Sequence, residues 1–530
     1  MRNGWTAAAA VAAIMLAWPA GAAGYDPAEK SVAQLQADMA AGRVSAAELV
    51  RAYEDRIRRL DRAGPRLQSV IALNPAALAE ARALDAERRS KGPRGPLHGI
   101  PLLIKDNIET MDAMPTTAGS LALKNNVTHR DAPLVARLRA AGAIILGKTN
   151  LSEWANIRST GSISGWSAVG GLTRNPYVLD RNTCGSSSGS GAAMAASLAA
   201  AAVGTETDGS VTCPASINGI VGLKPTVGLI SRARIVPISV SQDTAGPMAR
   251  SVADAAVLLT VMVGSDPADP ATAGADAHRT DYVAALRGTS LKGVRLGVFR
   301  TGGGADASTD KTFADAVAAM RGAGATVVEL PKLKVPDFVG DDELKVLLTE
   351  LKTGMNLYLA TTTAKTRTLA DVIAFDRATP RETVLFGQEL FEQAQATKGD
   401  SAQARIRSRD FARSAIDKAL KGNKLDALIT PTTSPSWRID TARGDNAAGE
   451  SATLPAIAGY PHLSVPMGYV HGLPVGLSFI GTAWTEAKLL AIGNAYELAT
   501  HMRRAPAFVP SLESLPQNAR AFAPIQTIPK

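Results

Sequence analysis

Gly185-Ser186-Ser187-Ser188-Gly189-Ser190-Gly191, an alanine-rich run from about Ala192 to Ala202, and Gly204-Thr205-Glu206-Thr207-Asp208-Gly209-Ser210 form the stretch on which the fold turns. Residues 160 to 225 as a whole are dense in Gly, Ser and Thr, a texture common to flexible linkers and to tightly packed sites. Strong core signals flank the segment and the alanine run predicts an apolar helix within it, so a packed site is the better reading. Outward from it, short apolar runs such as Ile100 to Ile104 and Ala143 to Leu146 alternate with Gly, Pro and polar turns and with helical patterns. That alternation predicts an α/β fold with largely buried strands.

Farther along, Gly293 to Phe299 and Thr326 to Leu330 read as strands around a helix at about Lys311 to Gly322, a βαβ unit. Residues 265 to 285, rich in Asp, Pro, Ala and Gly, read as a surface connection. Toward the N-terminus, Ser31 opens an amphipathic pattern that Gly42 closes, and Ser45 with Glu48 makes a capping box before a second pattern from Leu49 to Leu60. Two helices are therefore expected there. Ahead of them, Arg2, the apolar run Trp5 to Trp18, Pro19 and the small residues Ala20 to Ala23 match a secretory signal peptide, with cleavage after Ala22 or Ala23. About fourteen apolar residues fall short of the ~20 that span a bilayer, so no stable membrane insertion is expected.

The chain has 530 residues, 46% of them hydrophobic, with 47 Gly and 30 Pro, which excludes a disordered or collagen-like protein. Its net charge of +9 comes from 57 basic and 48 acidic residues without any long block of one sign, which argues against a nucleic-acid tract. Length alone suggests several domains at roughly 150 residues each, although one large α/β unit could also absorb it. Two cysteines, Cys184 and Cys213, and six scattered histidines lack metal-ligand spacing, so neither a metal nor a cofactor is expected. The cysteines flank Ser186 and Ser210, and free buried thiols are favoured over a pair because cysteine packs as a small hydrophobe.

Three motif matches fail on context. Gly142 to Thr149 fits the phosphate-loop pattern, but its middle residues are themselves the strand, which makes Lys148 a structural residue at a strand end. Gly185-Ser186-Ser187-Ser188-Gly189 fits a nucleophile elbow with Ser187 at the tip, yet the preceding Asp180 to Cys184 is polar where a buried strand is required, and nothing marks out His462 as a partner. Gly302-Gly303-Gly304 lacks the dinucleotide spacing, since residue 307 is Ala.

What survives is Lys105 at the end of Pro101-Leu102-Leu103-Ile104, the serine cluster, and Gly204 to Ser210. A serine hydroxyl needs a base, and a lysine serves only when neutral, which desolvation against apolar neighbours favours. Glycine beside Ser210 lets main-chain N–H groups face a developing oxyanion.

These residues, with Gly170-Gly171-Leu172-Thr173-Arg174-Asn175-Pro176-Tyr177, Gly219-Ile220-Val221-Gly222-Leu223-Lys224-Pro225-Thr226, Asp243-Thr244-Ala245-Gly246-Pro247 and Gly472-Leu473-Pro474-Val475-Gly476, resemble the amidase signature family over nearly all of the expected mature chain, 23–530. Within that family the chain looks most like the bacterial peptide amidases, which remove the amide from peptide C-termini. The resemblance implies one α/β/α sandwich on a large mixed central sheet, overriding the count from length. It implies a Ser, cis-Ser, Lys triad in which Ser210 is the nucleophile, Ser186 the bridging serine after a cis peptide bond, and Lys105 the base. Ser187 would support Lys105 by a hydrogen bond, and the N–H groups of Thr207, Asp208, Gly209 and Ser210 would form the oxyanion hole. Glu206, Asp208 and Thr212 depart from the commoner pattern in ways the peptide-amidase subgroup shares, and Asp208 is expected to shape the leaving-group side. The expected function is an exported amide hydrolase acting on a small-molecule or peptide amide. The alternatives are an amidase for other carboxylic acid amides, a silent binding protein on the same scaffold, and the glutamine-hydrolysing subunit of an amidotransferase.

Overall fold

The computed structural model describes residues 25–301, 307–446, 451–515 and 518. The signal peptide expected over 1–22 and the Gly302-Gly303-Gly304 turn lie outside these residues. Among them, eleven strands form one mixed sheet. From one edge to its middle run Val70–Leu73, Ile144–Thr149, Pro101–Lys105, Ala201–Glu206, Thr244–Ala249 and Val221–Lys224. His462–Val470, Leu473–Ile480, Ala427–Pro431, Arg295–Val298 and Thr326–Glu329 continue to the other edge. Helices cover both faces, so the central strands are buried throughout and read as continuous apolar runs, as expected of such a sheet. The result is the single α/β/α sandwich with a large mixed sheet that the sequence implied.

The N-terminal helices are Val32–Ala40 and Ala46–Arg56, each opened by a reciprocal capping box, Ser31 with Gln34 and Ser45 with Glu48. The βαβ unit is present as Arg295–Val298, Ala307–Gly322 and Thr326–Glu329, its strands parallel and adjacent. Within the expected surface connection, Pro270–His278 winds as a 3₁₀ helix. Lys148 sits in a strand, fully buried, donating to Ile108 O at 2.6 Å and Thr116 Oγ1 at 2.9 Å, which bears out its structural reading.

The alanine run departs from expectation. The helix spans Ser188–Ala195 and stops; Ser197 takes a left-handed φ of 53°, and Ala201–Glu206 is a strand. Alanine's helix preference is worth only tenths of a kcal/mol per residue, and pairing with Pro101–Lys105 on one side and Thr244–Ala249 on the other outweighs it. The small side chains let the helix and sheet approach: a Cβ on Gly189 would fall 2.3 Å from Ser69 O and 2.5 Å from Asn150 O.

Residues 335 to 400 fold into a helical layer, with Phe338–Leu359, Leu369–Ala378 and Glu389–Ala396 around a core of their own that includes Leu351, Met355 and Phe391. Trp154 meets Phe391 edge to face at 5.7 Å, and the buried Arg158 faces Glu153 at 3.2 Å, Asp376 at 3.9 Å and Glu382 at 4.0 Å, clasping this layer to the sheet.

Candidate active site

Two neighbouring parallel strands, Pro101–Lys105 and Ala201–Glu206, deliver Lys105 and Thr205 to one point. Lys105 Nζ lies 2.8 Å from Ser186 Oγ, 2.9 Å from Thr205 Oγ1 and 3.2 Å from Thr205 O. Lys105 and Ser186 are both fully buried. Burial pulls the Lys105 amine down to about 7, against the upward pull of the Glu206 and Asp243 carboxylates. A neutral amine has two N–H donors and one lone pair. The Thr205 carbonyl can only accept, and Thr205 Oγ1, which takes one bond from Asn107 Nδ2 at 2.9 Å, has a second lone pair, so the two oxygens can accept both Lys105 N–H groups. The lone pair is then left facing the Ser186 hydroxyl, an arrangement that can draw a proton from it.

The peptide bond Gly185-Ser186 is cis, as the resemblance implied. Ser187 follows, and its N–H donates to Ser210 O at 3.1 Å, fastening the serine cluster to the loop that carries Ser210. The expected contact of Ser187 with Lys105 is not made. Ser187 Oγ donates instead to Thr205 O at 3.1 Å and accepts from Thr205 N at 3.2 Å, so it steadies the residue on which Lys105 rests. Full burial of Ser187 and these main-chain bonds also dispose of the nucleophile-elbow reading. His462 stands elsewhere, its Nε2 2.5 Å from Ser478 Oγ and its acidity pushed to about 3 by burial and Lys224.

Ser210 is 8% exposed and opens into the short helix Thr212–Ile217. Gly209 just before it has φ +76°, a left-handed conformation that glycine adopts without cost. Glu206, fully buried, accepts from Val211 N at 2.7 Å and Thr212 N at 2.9 Å, which folds the loop 207–210 back over the strand end. Among the described residues the N–H groups of Thr207, Gly209 and Ser210 find no partner within the protein, so they can serve an incoming anion. Thr207 Oγ1 donates to Asp243 at 2.5 Å, and Asp208 accepts from Thr453 Oγ1 at 2.8 Å, which anchors the loop on both flanks.

Ser186, Thr205, Thr207 and Asn107 form the polar end of a cavity of about 690 Å³. Ile235, Val236, Pro237 and Ile238 make one apolar wall, and Gly354, Leu357, Tyr358 and Thr361 from the helical layer make another. Asn107 Oδ1 is buried at this polar end without a partner among the described residues, as an acceptor for a substrate N–H would be.

Cys184 and Cys213 are joined in a disulfide, their Cα atoms 6.0 Å apart, which corrects the expectation of free thiols. The helix 188–195 and strand 201–206 turn the chain back on itself, so residues 29 apart in sequence meet beside Ile217 and Trp437. Thr205, which holds the lysine, Asn107, which donates to Thr205, and Glu206, which shapes the loop, carried no assigned role in the sequence. Thr205 and Glu206 lie within the quoted stretch Gly204 to Ser210, and Asn107 lies two residues after Lys105.

Comparison with known proteins gives a consistent picture. The amidase family model matches residues 48–490. A probable amidase of Arabidopsis thaliana is 40% identical over 484 residues, covering 88% of this chain and 89% of that protein. A glutamyl-tRNA(Gln) amidotransferase subunit of Symbiobacterium thermophilum is 36% identical over 499 residues, covering 90% and 98%. The solved peptide amidase of Stenotrophomonas maltophilia is 53% identical, with a TM-score of 0.86 over 91% of this chain and 99% of that one.

Proposed function

This chain belongs to the amidase signature family and is a hydrolase of carbon–nitrogen amide bonds, and from that premise we propose that it is an exported enzyme which removes the C-terminal amide of peptides as ammonia. One observation carries the chemistry: a fully buried Lys105, its acidity pulled to about 7, with Nζ 2.8 Å from the Oγ of Ser186, which lines a mostly apolar cavity.

Ser210 Oγ attacks the amide carbonyl carbon while its proton passes to Ser186 Oγ and the Ser186 proton to Lys105 Nζ. The N–H groups of Thr207, Asp208, Gly209 and Ser210 receive the oxyanion of the tetrahedral intermediate. Lys105 then gives the proton through Ser186 Oγ to the amide nitrogen, the C–N bond breaks, and ammonia leaves with the acyl group on Ser210. A water molecule, deprotonated through Ser186 and Lys105, then attacks the ester; the carboxylic acid departs and Ser210 regains its proton. Asp208, held by Thr453, flanks the donor N–H groups and narrows the leaving-group side toward a small amine. The 53% identity to a solved peptide amidase supports the peptide substrate, and the Arg2 to Ala23 pattern supports export.

The test is ammonia release by the purified protein from peptide amides, amino-acid amides, fatty amides and free glutamine. Peptide amides are expected to be the fastest, and Ser210→Ala to abolish release from all of them. Efficient fatty-amide hydrolysis with no ammonia from peptide amides would overturn the peptide reading. The likeness to the glutamyl-tRNA(Gln) amidotransferase favours a second reading, glutamine hydrolysis, which the same assay decides.

A further inference from the structure

A second cavity, of about 420 Å³, adjoins the first across one short segment. Val240 borders both, with Ser239 and Asp243 on the side of Lys105 and Ser186, and Ser241 and Gln242 on the other. Val240 is 56% exposed, so it forms a low rib between two clefts open to solvent. The helix Ala402–Gly422 lines the second cavity with Arg405, Arg409 and Arg413, whose spacing of four residues sets all three on one face.

The three guanidiniums are not equally engaged within the protein. Arg405 lies 3.2 Å from Glu350, whose carboxylate also accepts from Ser239 Oγ at 2.6 Å and Ser241 N at 3.0 Å. Glu343 takes the Gln242 side-chain amide at 2.8 Å, Asp417 accepts from the lining Tyr460 hydroxyl at 3.2 Å, and Glu486 accepts from the lining Thr226 N–H at 2.7 Å. Arg413 donates to Ala458 O at 2.9 Å and covers the Tyr460 ring. Arg409 has only Asp410, its neighbour on the helix, at 3.9 Å, and its Nε is buried without a hydrogen-bond partner among the described residues. A guanidinium fork that lines a cleft without a close ion pair matches a carboxylate.

We propose that this cavity is an acyl-side subsite that binds an acidic side chain of the peptide amide, its carboxylate held by Arg409 with Arg405 and Arg413 alongside. The inference rests on the peptide-amide reading. An acyl chain with its amide at Ser186 and Thr207 leaves the first cavity over Val240 and passes directly into the arginine-lined cleft. The site thereby prefers peptides with an acidic residue upstream of the amide.

The experiment compares peptide amides in which one Glu is moved residue by residue away from the amide, with Gln and Lys at the same positions. Ammonia release gives kcat/KM for the unmodified protein, Arg409→Gln and Arg409→Glu. At low ionic strength one position is expected to favour Glu over Gln by about fivefold, a preference that falls with added salt. The gain appears in KM. Arg409→Gln removes the preference and Arg409→Glu turns it toward Lys. Equal rates for Glu and Gln at every position, or a preference that survives Arg409→Gln, overturns the subsite while leaving the peptide-amide reading intact. Absence of ammonia from a neutral dipeptide amide overturns both.

Discussion

In the proposed relay one buried amine, Lys105, governs activity. Below its acidity of about 7 the amine is protonated and its lone pair is gone; above it the amine is free to take the Ser186 proton. The kcat/KM for an uncharged peptide amide should therefore rise with pH, with a midpoint near 7, and level off on the alkaline side. A maximum near pH 5 would show a carboxylate at work instead. Thr205→Val tests the cradle. It keeps the shape but removes the oxygen that takes bonds from Lys105 and Asn107. Losing a buried acceptor costs about 1–3 kcal/mol, so kcat should fall by about tenfold to a hundredfold. Because the hydroxyl also stabilises the charged amine, the midpoint of the pH profile should move to lower pH. An unchanged profile measured on the purified variant would remove Thr205 from the account. Lys105, Ser186 and Ser210 were legible because motifs name them. Thr205 was not, because its contact depends on the register between strands whose residues lie 100 apart in sequence.

Among the elements, residues 160–225 form the packed site that their composition and flanks imply, but the alanine run within them is not one helix. Alanine content cannot reveal that residues 201–206 are a strand, since the partners that make them one lie at 101–105 and 244–249. The same turn-back of the chain brings Cys184 to Cys213, which an estimate from local packing preference missed. The bond has consequences for the site, because it joins the residue just before the Gly185-Ser186 bond to the helix that follows Ser210. With the bond gone, the Ser187 N–H to Ser210 O hydrogen bond remains as a direct tie between the two segments. Closing a loop of this length contributes about 3.6 kcal/mol. Denaturant unfolding of the Cys184→Ser, Cys213→Ser double variant should show a loss of about that size, together with reduced kcat. Thiol titration of denatured, unreduced protein should find none, and reduction should expose both. Reactive thiols before reduction would contradict the pairing.

On the scale of the whole molecule, α/β alternation and the terminal helices were plain in the sequence, whereas the order of eleven strands was not, since most neighbours in the sheet are distant in the chain. That order places Pro101–Lys105 and Ala201–Glu206 side by side within the sheet, and the helical layer 338–396 closes the cavity above them. A disulfide beside the site ties this architecture to a compartment, because such bonds persist in oxidising surroundings and are rare in a reducing cytoplasm. The charged, apolar and small-residue pattern before residue 24 points the same way. One observation lies in the N-terminal sequence and the other in tertiary geometry, and together they make a joint prediction. Protein recovered from the periplasm or medium of an expressing bacterium should begin at residue 23 or 24 by intact mass and carry the bond between Cys184 and Cys213. A chain started at residue 23 and held in a reducing cytoplasm should carry two titratable thiols and unfold at lower denaturant until it is oxidised. Exported protein that retains residues 1–22, or cytoplasmic protein that is already oxidised, would break the link between the two.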